Sequence, residues 1–130
     1  MDKSSSFLVD RLEKDVRGFL TTLLILAIIK KQERTWGYKI KQELKKITQS
    51  ETYINDSSLY TILRNLESDK YGQLIISEME KRRRYYTLSS QGGKELTLAV
   101  NRWIELMENS KKVLSTLDFP INILLEALQP

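Results

Sequence analysis

Two short β-rich segments stand in the middle of a chain whose other periodic stretches are all helical. LIISEM (74–79) is rich in apolar residues, and RYYTLS (84–89) carries the aromatic and β-branched residues that suit strands. Only EKRR lies between them, so the pair reads as one hairpin with a basic tip and entering edge. Lys81, Arg82, Arg83 and Arg84 cannot all be buried, and like charges this close repel one another. Such a run is either a solvated turn or a surface waiting for something negative.

Around the hairpin the spacing is helical. A first helix is predicted over residues 10–31, where Val16, Leu20, Leu23, Leu24 and Ala27 recur in steps of three and four. Phe19, Leu26 and Ile28 widen that face, which implies burial on more than one side. QERTWGYK breaks the run, and a second helix is predicted over 38–47. There Tyr38, Ile40, Leu44 and Ile47 point one way, and Lys39, Gln42, Lys45 and Lys46 point out. TQSETYINDS is polar and turn-rich, and NDSS supplies an N-cap for a third helix.

That third helix, SSLYTILRNLES, has a core stripe of Leu59, Ile62, Leu63 and Leu66. Its opposite face is Ser57, Ser58, Thr61, Arg64, Asn65 and Ser68. These are short hydrogen-bonding groups and one arginine, where a generic solvent-facing helix favours Glu and Lys. Short side chains let a helix backbone come close to another surface; the alternative is a solvated face that happens to be short. After the hairpin, SQGG leads into a long helix over about 92–117, closed by DFP.

Composition removes several classes of function. The 130 residues suit one modest core, and 41% apolar with 29% charged residues describes a globular chain. Few prolines and glycines lean toward a mostly helical fold. There is no cysteine and no histidine, which excludes thiol nucleophiles, disulfides and the usual zinc ligands and general base. No pair of acids is placed for carboxylate chemistry, so neither an enzyme nor a cofactor is expected. GFLTTLLILAII (18–29) is too short to span a bilayer and has no cleavage site after it, which points to a cytoplasmic protein with no membrane partner. The net charge of +4 is uneven: residues 1–94 carry +6 and residues 95–130 carry −2. A basic front end suits a polyanion.

Helix, helix, polar turn, helix and then a hairpin is the order of a winged helix-turn-helix, so the expected fold class is mostly α (α+β) with a two-stranded wing. In that module the third helix enters the DNA major groove and the wing touches the flanking backbone or minor groove. The basic quartet then has a use, since each cation can meet a phosphate and release counterions. The candidate DNA-binding residues are Lys39, Ser57, Ser58, Tyr60, Thr61, Arg64, Asn65 and Lys81 through Arg84. A different use of the same module is protein assembly, with the basic wing facing an acidic partner. Tyr38 and Tyr86 are expected to pack at the helix–wing junction, whereas Tyr60, off the core stripe, is open to DNA backbone contact.

GYKIKQEL, SSLYTILRNLES and RRRYYTLSSQG resemble, in that order, the second helix, recognition helix and wing strand of PadR-type transcriptional regulators. The resemblance extends over about residues 16–107. It implies a dimeric repressor that binds double-stranded DNA at a roughly palindromic operator and releases it on an effector signal. Tyr60, Thr61 and Arg82 to Arg84 match the family's DNA-contacting regions. Two departures stand out: ESDKYGQLII is longer than the family's turn into the wing, and YTLSSQGG replaces its usual Y-x-L-T-x-x-G.

In the long helix Leu96, Val100, Trp103, Met107, Ser110, Leu114 and Leu117 recur at alternating steps of four and three, an a/d seam with one polar interruption. A partner helix in a symmetric homodimer accounts for it most simply; packing onto the chain's own first helix is the alternative. The dimerisation set is therefore Leu96, Val100, Trp103, Met107, Leu114 and Leu117. The resemblance also places Trp103 where shorter-tailed family members sandwich flat aromatic ligands. A small aromatic effector would thus meet Val100, Trp103, Ile104 and Met107, with Asn101 beside them; otherwise Trp103 is only an interface anchor. Trp36 is expected to pack under the turn before the second helix. The expected division is a winged domain over 1–91 and a dimerisation helix and tail over 92–130, with INILLEALQP docking on the dimer or the first helix.

Overall fold

The computed structural model describes residues 6–119, and the expectation for the INILLEALQP tail lies outside them. Helix α1 (Phe7–Gln32) starts earlier than its apolar spacing predicts, because Ser6 Oγ accepts from the Val9 N–H at 3.2 Å and Asp10 sits in the first turn. Its buried residues all lie in the second half: Thr21, Leu23, Ile25, Leu26, Ile28 and Ile29. This corrects the predicted stripe. Ala27 and Phe19 are exposed, whereas Ile25 and Ile29 are fully covered. The run Leu23–Ile29 contains no polar residue, so its periodicity cannot say which side faces the core.

A strand that the sequence pattern missed follows, β1 (Thr35–Trp36), and then α2 (Gly37–Thr48). Ile40 and Leu44 are fully buried, but Tyr38 is 63% exposed and Ile47 48%. Tyr38 was expected to pack inward. It sits two residues from Ile40, about 200° of helix rotation, which turns it to the opposite side. Ile47 shares the line of Ile40 and Leu44 but falls in the last turn, beyond the covered part.

Helix α3 (Asp56–Glu67) buries Leu59, Leu63 and Leu66, while Ile62 is half-buried. The long turn after it is not slack. It contains a 3-10 turn (Asp69–Tyr71) capped by Ser68 Oγ on the Lys70 N–H, and it reverses at Gly72, whose φ of 90° suits glycine. The Leu74 N–H then bonds back to Leu66 O at 2.7 Å.

Strands β2 (Ile75–Glu80) and β3 (Arg83–Leu88) form the hairpin, and β1 extends it to a three-stranded antiparallel sheet in the order β1-β3-β2. The sheet is thus one strand larger than the expected wing. Thr35, Tyr86 and Ser77 lie side by side across it, as do Trp36, Tyr85 and Glu78. Successive residues of a strand face opposite sides, so these rows belong to opposite faces.

Helix α4 (Ser90–Thr116) begins at a tight junction. Ser89 Oγ accepts from the Gly92 N–H at 2.9 Å and donates to Gln73 O at 2.7 Å, and the Ser89 N–H reaches Leu74 O. A Cβ on Gly92 would collide with the Leu74 carbonyl. The chain forms two compact units that divide after Leu96. Leu96 is 5% exposed and closes the core of the first, so the exposed part of the expected seam starts at Val100. From there Val100, Ile104, Met107, Leu114 and Leu117 are 36–64% exposed in the single chain. No helix among the described residues is long and apolar enough to cross a membrane.

Gly92→Ala is expected to destabilise the first unit by about 1–3 kcal/mol, the scale of a forced overpacking. Gly93→Ala, where a Cβ meets nothing within 4 Å, should be neutral or stabilising, since alanine favours helix over glycine. Urea unfolding followed by circular dichroism measures both.

Candidate nucleic-acid interface

Helix α3 is fixed at its start. Asn55 Oδ1 accepts from the Ser58 N–H at 2.8 Å, and Asp56, in the first turn, pairs with Lys41 Nζ at 2.6 Å. With Leu59, Leu63 and Leu66 inside, the helix exposes Ser57, Ser58, Thr61, Arg64 and Asn65 of the expected polar face, with Tyr60 at its edge; Ser68, also expected there, is the half-buried C-cap. Arg64 Nη2 donates to Thr61 Oγ1 at 3.2 Å, one turn back, which holds the guanidinium along the helix surface.

Tyr60 is 40% exposed, and its ring lies over the start of α2. Gly37 permits this, because a Cβ at that position would run into the Tyr60 phenol. The same ring borders a cleft of about 210 Å³ whose other side is Arg82, Arg83 and Arg84. One concavity thus brings together Tyr60 of α3 and three of the four wing cations.

The wing cations do not act as one block. The link between strands is two residues, not four, and Glu80 pairs with Arg83 across it. Lys81 and Arg82 occupy the turn with φ of 51° and 67°, the left-handed backbone of a type I′ hairpin. That turn favours Asn-Gly, and a non-glycine residue held there costs about 1–2 kcal/mol. The two residues present their charges at the tip on a strained backbone.

Arg83 and Arg84 then alternate. Arg83 takes the face of Tyr85 and Trp36, its guanidinium 4.4 Å from the Trp36 ring centroid. Lys39 Nζ lies 5.3 Å from the same ring, so Trp36, half-buried in β1, gathers two cations. Trp36 and Tyr85 meet edge to face at 5.6 Å, and Arg34 stacks on Tyr85 at 3.8 Å while pairing with Glu80 at 2.5 Å. Arg34 was not singled out by the sequence. A cation two residues before a tryptophan at a strand edge was the available signal.

Arg84 takes the opposite face. Its Nη1 donates to Ser77 Oγ at 2.9 Å, and Ser77 Oγ donates to Glu67 Oε2 at 2.5 Å. The chain Arg84–Ser77–Glu67 links β3, β2 and the end of α3. Tyr86 lies buried on the same face, 4% exposed, as expected. Burial pushes its phenol above the usual value of 10, and the nearby Arg84 guanidinium partly opposes that shift.

The effector candidates Val100, Trp103, Ile104 and Met107 all lie in the second unit; Trp103 is half-buried and the other three are exposed. No group of His, Cys, Asp or Glu among the described residues is arranged to hold a metal ion.

The model of the transcriptional regulator PadR-like family matches residues 25–98. A transcriptional regulator from Clostridium thermocellum, Cth-833, is 28% identical, with 79% of this chain and 96% of that one covered at a TM-score of 0.60. The smu.1704 protein of Streptococcus mutans is 32% identical over 75% of this chain and 89% of its own, at 0.57. A PadR family transcription regulator from Clostridium difficile, 24% identical over 72% and 97% of the two chains, shares the fold at 0.59.

Arg82→Gly is expected to relieve the left-handed strain and raise stability by about 1 kcal/mol in a thermal melt. The same variant should elute from heparin at lower salt, because a tip charge is gone.

Proposed function

The chain belongs to the PadR-like family of transcriptional regulators, and we propose that it is a homodimeric repressor of operator DNA, released by a small aromatic effector. The observation that carries this reading is the exposed face of α3, with Ser57, Ser58, Thr61, Arg64 and Asn65 in one surface beside a wing tip of Lys81 and Arg82. Short polar groups let α3 sit deep in a major groove, where Arg64 and Asn65 are suited to guanine and adenine edges. Lys81, Arg82 and Arg83, with Lys39 gathered on Trp36, supply phosphate contacts and most of the salt-dependent affinity. Arg84 positions the wing through Ser77 and Glu67.

The dimer forms through the seam of α4, the exposed Val100, Met107, Leu114 and Leu117 with the half-buried Trp103. Pairing two winged units sets two recognition helices on half-sites about 34 Å apart. An effector stacked on Trp103 regulates by favouring one arrangement of the two units over the other.

Fluorescence anisotropy with the DNA upstream of the chain's own gene tests the reading. Sequence-dependent binding should weaken by orders of magnitude between about 50 and 200 mM salt, and further in an Arg82→Ala/Arg83→Ala variant. Binding indifferent to sequence, salt and these two changes would sink it. Leu114→Glu should convert the dimer to monomer in sedimentation and lose most of the operator affinity. Flat aromatic compounds should quench the emission of Trp103 in a Trp36→Phe variant and leave that of Trp36 unchanged in a Trp103→Phe variant.

A further inference from the structure

The wing cleft lies on one side of the exposed face of α3, and a larger groove of about 900 Å³ lies on the other. At about 100° per residue, Tyr60 falls at one edge of that face and Ser58 with Ile62 at the other, with Ser57, Thr61 and Arg64 between them. Ser57, Ser58, Thr61 and Ile62 form one wall of the larger groove. The opposite wall comes from α1, through Lys14, Arg17 and Thr21, and Lys41 of α2 contributes from below the start of α3. The lining holds three cations to one carboxylate, Glu51, which is drawn toward Lys45 at 3.7 Å.

Arg17 is held in place. Its guanidinium lies 4.4 Å from the Tyr53 ring centroid, and Nη2 donates to Tyr53 O at 3.3 Å. Tyr53 is braced in turn, its hydroxyl 2.7 Å from Thr21 Oγ1 on the next turn of α1. A long side chain that would otherwise sample many rotamers is thereby aimed along the groove wall. The remaining Arg17 donors stay on an exposed residue. A planar fork braced on an aromatic ring suits phosphate oxygens.

We propose that Lys14 and Arg17 of α1 grip a DNA backbone strand in this groove, so that α3 is clamped by phosphate contacts on both flanks; Lys41 stays engaged with Asp56 at the start of α3. The inference rests on the DNA-binding reading above and extends it to residues outside the third helix and the wing. A surface carrying α3 into a major groove faces a sugar–phosphate strand on each side of that groove. The wing meets one strand and the α1 groove receives the other. These contacts carry no base information, so they set register and affinity and leave sequence preference to α3.

The test is a salt titration of binding to a fluorescein-labelled duplex of mixed sequence, for Lys14→Gln, Arg17→Gln, their double variant and Arg82→Ala/Arg83→Ala. Lys14→Gln leaves the Tyr53 brace intact, so its effect is not one of folding, and thermal melts check the others. Each lost phosphate contact should lower the slope of log affinity against log salt by about 0.9. The same loss should appear on the upstream DNA, with the preference over mixed sequence unchanged. If the wing variant lowers the slope and the α1 variants do not, the groove is no phosphate site, while the DNA-binding reading stands. If neither set changes it, both readings fail together.

Discussion

An isolated two-stranded hairpin is marginal in water, yet the basic wing of this chain is built on a hairpin. It persists because Tyr86 is buried at the middle of a three-stranded row, with Thr35 on one side and Ser77 on the other. Strand β3 lies against α1 and β2 against α3, so the hairpin takes its stability from the helical core. Ser77 extends the row to Glu67 at the end of α3. Helix α3 and the wing are therefore one mechanical piece. A displacement of α3 by a ligand or a partner carries the wing with it.

Much of this was legible in the sequence. The elements, their order and the polar face of α3 follow from spacing and turn chemistry, because each signal sits within a few residues. Where the signal is non-local the reading failed. Strand β1 is two residues long, too short for any alternation to register, and Thr35 is buried where it meets Tyr86, far along the chain. In α1 the uninterrupted apolar run left the direction of the core undetermined, and tertiary packing chose Ile25 and Ile29. Tyr38 was grouped with Ile40 although two residues is the period of a strand and not of a helix.

The candidate site divides along the same line. Residue type predicted that Lys81 to Arg84 would be a basic element at the wing, and all four are exposed. It could not predict that strand alternation would separate Arg83 from Arg84. Nor could it foresee that one would rest on Trp36 while the other joined an internal chain. The groove bordered by Lys14 and Arg17 was not legible for a related reason: those residues lie far in sequence from Ser57 and Thr61, and share a groove with them only after α1 and α3 have met.

The strand order places β2 at the rim of the sheet, with Ile76 46% and Met79 56% exposed along it. An open rim with apolar side chains is a template for a stray strand from another molecule. Glu78 and Glu80 interleave with them, so two copies meeting rim to rim would bring four carboxylates together. Arg34 leans on both carboxylates from the chain's own side and leaves that repulsion only partly quenched. The acids beside the basic wing thus act against fibrous self-association, and a change of either to threonine or valine would trade solubility for strand-forming tendency.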